Sequence, residues 1–353
     1  MKIEGLTRRF PHWLAVPGDE NGIVISCRVR LARNLAAFPF YPKASAEQQE
    51  RIAEEVQTVA QRSRSLGSAT YFTMAGLDPN QRRLLVERHL ISPALADDKG
   101  LGGVLFNQDE SLSVMVNEED HLRLQAIFPG LQARTAWEKM NALDDELGSG
   151  LEYAYADPWG YLTACPTNVG TGMRASVLIH LPALVLTEDI DRVVRGLTQL
   201  SFTVRGFYGE GTNVAGNLFQ VSNQTTMGKP EGEIADELTR LVQRLVECEL
   251  EAQQTLVEGA RHQVEDKIWR AYGILSNARV MTSQEFMNLL SAVRLGYSLG
   301  LLKEVTPALV NHLMLVTQPS HLQLEAGQGL KPKERDIRRA EVVRQKLAES
   351  KPS

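Results

Sequence analysis

The chain has 353 residues, 43% hydrophobic and 23% charged, with 27 Gly and 15 Pro; this is ordinary globular composition, with room for about two domains, and it excludes fibrous or wholly disordered sequence. Lys and Arg total 38 against 43 Asp and Glu, so the net charge of -5 gives no global attraction to nucleic acid or an anionic membrane. Three widely spaced cysteines (Cys27, Cys165, Cys248), no signal-peptide core and no apolar run of membrane-span length together predict a reduced, cytoplasmic protein.

In chain order, residues 1–21 carry Trp13 and Leu14 but end in turn-prone residues, and read as a lead-in to a domain spanning 22–255. Strand-like stretches are expected at 23–26, 69–74, 103–106, 111–116, 151–155, 176–180, 202–207 and 218–222. Two helices interrupt them, one opened by Ser45 with Ile52, Val56 and Val59 on one face, the other by Asp78-Pro79 with Leu84, Leu85 and Arg88. The short polar turns between several strands favour antiparallel pairing, because parallel neighbours need a long crossover. From Glu231 the spacing becomes helical for more than thirty residues, through Ile234, Leu238, Leu245, Ala252 and Ile268. Further helices are expected after Thr282-Ser283 and Thr306-Pro307, giving a helical C-terminal domain over 256–353. The fold class is thus α+β: an antiparallel sheet flanked by helices, then an all-helical region.

Arginines carry the chemistry. Arg28 and Arg30 lie two apart on a strand and so share a face, while Arg123, Arg174 and Arg205 sit at strand ends or beside Gly and Asn turns. Guanidinium forks bind phosphate oxygens bidentately and stay charged, so such a set suits a triphosphate held without a P-loop, and no G-x-x-x-x-G-K-[ST] is present. Carboxylates supply the complement, in Asn117-Glu118-Glu119-Asp120-His121 and at Glu210 in a glycine-flanked turn. A carboxylate pair can grip a guanidinium and accept its proton as nitrogen attacks phosphorus. Cys165 precedes a polar loop containing Gly170-Thr171-Gly172, in surroundings that favour thiolate. No cysteine–histidine cluster suggests a protein-held metal.

The blocks SCRVRLARN, NEEDHLR, CPTNVGTGMRAS and VRGFYGEGT, in this order, resemble the catalytic domain of the phosphagen (guanidino) kinases over about residues 22–250. The resemblance implies transfer of the γ-phosphoryl group of ATP, with Mg2+, to a guanidinium nitrogen. It implies nucleotide contacts from Ser26, Cys27, Arg28, Val29 and Arg30, from His89 and Arg123, from Arg174, Ala175, Ser176, Val177 and Leu178, and from Arg205, Gly206, Phe207, Tyr208, Gly209 and Glu210. It also implies that Glu119 and Glu210 orient and activate the guanidinium beside a reactive Cys165. Leu178 departs from the pattern, standing where metabolite kinases tend to place histidine, and Cys27 replaces a common serine. Metabolite kinases precede this domain with a helical lid domain, whereas here 25 residues precede Ser26, so a more open pocket is expected, fit for an arginine within a protein.

Near the C-terminus, Arg335-Asp336-Ile337-Arg338-Arg339-Ala340 places Arg335 and Arg339 at i, i+4 on one helix face with Asp336 adjacent. Two arginines and an aspartate form the group set that binds phosphoarginine. The segment resembles the RDxxRA motif of bacterial protein-arginine kinases, where it forms an allosteric phosphoarginine pocket. That resemblance implies protein substrates with exposed arginine, marking for a Clp-type unfoldase-protease, action on a heat-shock transcriptional repressor, and stimulation by a zinc-binding activator protein. A homodimer joined through the helical domain is expected, with no direct nucleic-acid or membrane partner. Two other readings are a kinase of free arginine or another small guanidino metabolite, and a phosphoarginine-binding adaptor without catalysis.

Overall fold

The computed structural model describes residues 3–16, 22–41, 43–98, 100–206 and 215–350. Polar and apolar residues alternate along β1 (Val24–Arg33), so Cys27, Val29 and Leu31 are buried on one side and Arg28 and Arg30 stand on the other. β2 (Thr70–Thr73), β3 (Gly103–Phe106), β4 (Leu112–Val116) and β5 (Leu122–Pro129) follow. β6 (Tyr155–Ala156) and β7 (Gly160–Tyr161) form a separate two-stranded ribbon, before β8 (Met173–His180), β9 (Phe202–Gly206) and β10 (Leu218–Asn223). The main sheet is antiparallel throughout, in the order β2-β3-β4-β5-β1-β8-β10-β9.

Among the strands run α1 (Ala46–Ala60), α2 (Pro79–Glu87), α3 (Pro93–Asp97), α4 (Ala133–Gly148), α5 (Pro182–Leu186) and α6 (Ile190–Gln199). Ser45 and Asp78 close capping boxes with Gln48 and Gln81, which fixes where α1 and α2 begin. α7 (Glu231–Asn277) is interrupted only at Ala260, where φ -146° and ψ 36° leave the helical region. α8 (Ser283–Ser298), α9 (Pro307–Val316), α10 (Pro319–Ala326) and α11 (Pro332–Glu349) complete the helical region.

One sheet face packs on α1, α4 and the N-terminal part of α7, through Val29, Leu124, Ala175, Val177 and Val221. The opposite face is divided. α2 and α3 cover the β2–β4 edge around Val104, Phe106 and Met115. The C-terminal helices cover Ile25, Ile127, Leu178 and Leu218. Between these two shoulders the arginine-bearing part of the sheet stays uncovered by either apolar cluster.

Several expectations need correction. α3 to α6 are absent from the expected helices; α4 opens on Gln132, which is no usual cap, while α5 has Pro182 at its first position and α6 has Asp189 at its N-cap, although neither helix start makes a side-chain cap hydrogen bond. The strand expected at 151–155 is not in the main sheet: Tyr153 makes only an isolated bridge to Leu35, and Tyr155 begins the small ribbon. β5 is absent from the expected strands, yet it pairs with β1 along its whole length. The N-terminal lead-in packs Ile3 and Leu6 under α2 and buries Trp13 and Leu14 against the C-terminal helices.

Candidate active site

Strand register gathers the arginines. Arg30 lies opposite Arg174 on β8 and Gln125 on β5, Arg28 opposite Ser176 and Ile127, and Arg123 opposite Ala32. Residues directly opposite in an antiparallel pair share a face, so Arg28, Arg30, Arg123 and Arg174 project together, and Arg205 joins them opposite Gln220. They line a cavity of about 370 Å3 with Glu119, Cys165, Thr167 and Asn168. The same alternation turns Cys27, Val29, Ala175 and Val177 into the opposite core, so their side chains cannot touch a nucleotide and only their backbone remains for that role. Leu178 is likewise withdrawn, packed with the C-terminal helices. Phe207, Tyr208, Gly209 and Glu210 lie outside the described residues.

Among the described residues the cluster is short of counter-ions. Burial first, then Arg174 and Arg123, lowers the Arg28 pKa to about 10. Arg30 is pushed well below its ordinary value by burial and by Arg28, Arg123 and Arg174, with only Glu118 opposing. Arg174 is lowered by burial, Arg205 and Arg123. The Nε atoms of Arg30 and Arg174 are buried without a hydrogen-bond partner among the described residues. Unpaired donors on mutually repelling cations make a site for a multiply charged anion with several acceptor oxygens.

Among the described residues of the cluster, Arg123 is the arginine that bonds to acids: it donates to Glu118 at 3.1 Å and to Glu119 at 2.5 Å. This pair sets Glu119 at the border between the cationic cluster and Cys165, whose Sγ lies 3.0 Å from Thr167 Oγ1. The neighbouring Asp120, expected only as one of three loop acids, is fully buried and structural. Its Oδ1 accepts from Asn34 Nδ2 and from the Ala164 backbone N–H, both at 2.7 Å. Asp120 therefore ties the Glu119 loop to the segment entering Cys165, and desolvation still raises its pKa despite those bonds. His121 continues the lock, its Nδ1 accepting from Leu35 N–H and its Nε2 reaching the Pro39 carbonyl at 3.0 Å.

The glycine loop is held by Arg33, which sequence reasoning passed over within SCRVRLARN. Its guanidinium binds Asp144 through Nε and Nη2, donates to the Thr171 carbonyl at 2.8 Å and stacks 3.6 Å from the Tyr161 ring centroid. Gly172 has φ +65°, and a Cβ there would meet the Ala32 carbonyl at 2.6 Å, so only glycine fits against Ala32 and Arg33.

A second cavity, of about 900 Å3, extends from Arg28, Arg30 and Arg205 past His89 to the α9–α10 junction and Arg335. Of the six C-terminal motif residues, Arg335 alone lines it. Arg339 is buried and donates to the Thr317 and Met281 carbonyls and to Asp336, so most of its fork is committed to holding α11 in place. Arg338 pairs outward with Glu341 and Glu325, Ile337 is exposed and Ala340 is buried.

An antiparallel sheet presenting clustered arginines beside a carboxylate and a cysteine suits the catalytic domain of a guanidino phosphotransferase. The family model described as ATP:guanido phosphotransferase, C-terminal catalytic domain, matches residues 51–252, and that of the protein-arginine kinase McsB C-terminal domain matches 261–353. A protein-arginine kinase of Geobacillus sp. (strain WCH70) is 47% identical over 95% of this chain and 93% of its own length. That of Desulforamulus reducens is 46% identical over 98% and 97%. Among solved structures, lombricine kinase aligns with TM-score 0.58 and 25% identity over 69% of this chain and 70% of its own. A duplicated taurocyamine kinase from Schistosoma mansoni shares the fold, with TM-score 0.60 and 23% identity over 76% of this chain and 42% of its own. The chain belongs to the protein-arginine kinases, ATP-dependent phosphotransferases whose acceptor is arginine in proteins. Among the described residues, no helix is long and apolar enough to cross a membrane.

Proposed function

We propose that Arg28, Arg30, Arg123, Arg174 and Arg205 hold the triphosphate while Glu119, with Glu210, receives the guanidinium of a substrate arginine. The observation that carries this reading is the shared cavity, in which Arg28, Arg30 and Arg174, with no ion pair among the described residues, meet Glu119 and Cys165. In the transfer, a guanidinium nitrogen forms a bond to the γ-phosphorus, the bond to the bridging oxygen of ADP breaks, and the nitrogen's proton passes to a carboxylate. A guanidinium is otherwise too weakly acidic to act as a nucleophile, so the base must be in position. The arginines contribute by positioning and by neutralising charge on the equatorial and leaving oxygens.

Mg2+ fits this arrangement because it binds phosphate oxygens and water with few protein ligands; no cluster of three or more acidic, His or Cys side chains suited to a metal occurs among the described residues. Bound there, it would supply further charge neutralisation on the phosphates.

The test is a competition between free arginine and an unstructured basic protein with MgATP. Acid-labile phosphate on the protein, read by phosphorus NMR or mass spectrometry, is the expected result. Labelling of free arginine with none on the protein would refute it.

The remaining reading extends from the family resemblance. Phosphoarginine marks proteins for a Clp-type unfoldase-protease and inactivates a heat-shock repressor in a cytoplasmic stress response, and a zinc-binding activator stimulates the kinase. A homodimer is supported by the exposed Trp269, Ile274 and Val280 at the C-terminal end of α7 and just beyond it. Arg335 and Asp336 form an allosteric phosphoarginine site, favoured by the half-buried Arg335 side chain having no ion pair among the described residues. Arg335→Ala is expected to flatten the dose response to added phosphoarginine, whereas Arg338→Ala, on the outward face, retains it. Equal responses in the two variants would remove the assignment.

A further inference from the structure

We infer that the β6–β7 ribbon, together with Met227, forms a docking surface for the polypeptide that flanks a substrate arginine, and that it takes apolar side chains a few residues away from that arginine. The inference rests on the reading that brings the substrate guanidinium to Glu119 beside Cys165, and it adds which sequences around the arginine are preferred.

Three large apolar side chains stand in solvent here: Tyr155 is 58% exposed, Trp159 57% and Met227 46%. One loop joins them to the catalytic cavity. Cys165, Thr167, Asn168 and Gly172 of that loop line the cavity with Glu119. The same loop pairs with the ribbon, Tyr161 and Gly170 exchanging backbone hydrogen bonds at 2.8 and 3.2 Å. A Cβ at Gly160 would meet the Gly170 carbonyl at 2.6 Å, and one at Gly170 would meet Met227 Cγ at 2.7 Å, so the residue after Trp159, the loop and Met227 adjoin one another. The backbone beneath is well tied. Tyr155 lies edge-on to Tyr161 with centroids 5.4 Å apart, and Tyr161 covers the Arg33 guanidinium. Thr226 Oγ1 donates to the Val169 carbonyl at 2.7 Å and the Thr167 carbonyl at 3.1 Å, while the Thr226 carbonyl accepts from Thr171 N–H at 2.9 Å. Aromatic rings held on fixed backbone bury a large area on contact, which is why they are enriched where proteins meet.

Continuity with the site fixes the occupant. The chain belongs to the protein-arginine kinases, so a guanidinium that reaches Glu119 brings a polypeptide with it, and that polypeptide must run over the rim of the cavity. An extended chain advances about 3.3 Å per residue, so residues three to six positions from the arginine lie roughly 10–20 Å from it. Trp159 stands six residues before Cys165 in the sequence, a span of at most about 22 Å. The exposed rings are thus within reach of the residues that flank the arginine.

Two peptides with the same central arginine provide the experiment, one carrying Leu and Trp at the flanking positions on both sides, the other Gly and Ser. Phosphorylation of each by the full chain with MgATP is followed by steady-state kinetics, and binding by fluorescence anisotropy of the labelled peptides. The apolar peptide is expected to show a KM about tenfold lower at equal kcat, the scale of one well-buried aromatic contact. Trp159→Ala should raise KM for that peptide about tenfold and bring the two together, while turnover of the Gly/Ser peptide, which has no side chain to place there, shows that the variant is folded. Met227→Ser should narrow the gap in the same direction. Equal KM for the two peptides in the wild type, or an equal change of both in Trp159→Ala, would overturn the surface. So would an unchanged peptide ratio with a changed sedimentation mass, which would make the ribbon a contact between copies of this chain. Glu119→Gln should lose turnover of both peptides and keep the ratio of their dissociation constants; wild-type turnover there would refute the site reading alone, because the binding ratio in Trp159→Ala still judges the surface separately.

Discussion

Arg28→Ala is expected to lower kcat/KM for protein-arginine phosphorylation by roughly 10^3-fold, the scale at which a transition-state arginine acts in phosphoryl transfer. The same substitution should leave the melting temperature of the nucleotide-free protein level or raise it. The two effects have one cause. Arg28 is half-buried in the cavity beside Arg174 and Arg123, and its lowered pKa records the cost of keeping it charged there. Deleting it relieves that repulsion in the free protein and removes a fork from the phosphates when they are present. The linkage sign agrees: a folded-state pKa below the ordinary value means the folded chain binds the proton less tightly, so this group disfavours folding below about pH 10. Arg28→Lys keeps a charge but loses bidentate geometry, and should fall between wild type and alanine in activity. Steady-state kinetics paired with a thermal scan decides the matter. Activity within tenfold of wild type, or a large fall in melting temperature, would show that Arg28 holds the fold instead of the phosphates.

Glu110→Ala should cost about 3–5 kcal/mol of stability, the range for leaving one member of a buried ion pair unpartnered. Arg88 follows the last turn of α2, is fully buried, and is gripped bidentately by Glu110 with both distances at 2.6 Å. Arg88 also donates to the Arg9 carbonyl at 3.1 Å and lies 3.3 Å from His321 Nε2. Since Arg88 can only donate, Nε2 must accept, which leaves Nδ1–H for Glu87 at 2.8 Å and makes His321 neutral, in agreement with the lowering of its pKa by burial. One network thus joins the N-terminal segment, α2, the β3–β4 turn and α10. Its loss should lower the melting temperature and raise KM for ATP, because the α2 and α10 sides of the large cavity are held apart and in register by it. Replacing both partners, as in Arg88→Leu with Glu110→Leu, should recover much of the stability, since two apolar side chains leave no stranded charge. If the single variant melts with wild type, the pair contributes nothing to the fold.

The contrast between these two arginines shows how far the sequence could be read. Both occur in short segments with neighbouring apolar residues, and neither residue type nor spacing separates a cation awaiting phosphate from one satisfied by a buried carboxylate. Arg28 was legible because Arg30 shares its strand face and because the motif around it repeats that of a known family. Arg88 was visible only as a helix residue, since its partner Glu110 lies in a turn 22 positions away. Asp120 and Glu119 are adjacent, yet one ties two loops together in the interior and the other opens on the cavity. Arg335 and Arg339 share a helix face, but the end of α9 and the α7–α8 junction take up the second and leave the first. Such divisions depend on what packs opposite, which local pattern does not encode.

The sequence by itself determined the chemistry and the class. Alternation and the late change to helical spacing were enough for an antiparallel sheet followed by a helical region, because both are local consequences of backbone geometry, and the resemblance of the four ordered motifs added the guanidino-kinase class. Only the tertiary structure decided which charged groups remain available and where the cavity ends. Strand register put arginines from separate strands on one face with too few counter-ions, and the C-terminal helices covered the apolar half of that face. The physical reason is that a side chain's charge, exposure and partners are set by burial against residues distant in the chain, while its backbone conformation is set largely by its neighbours.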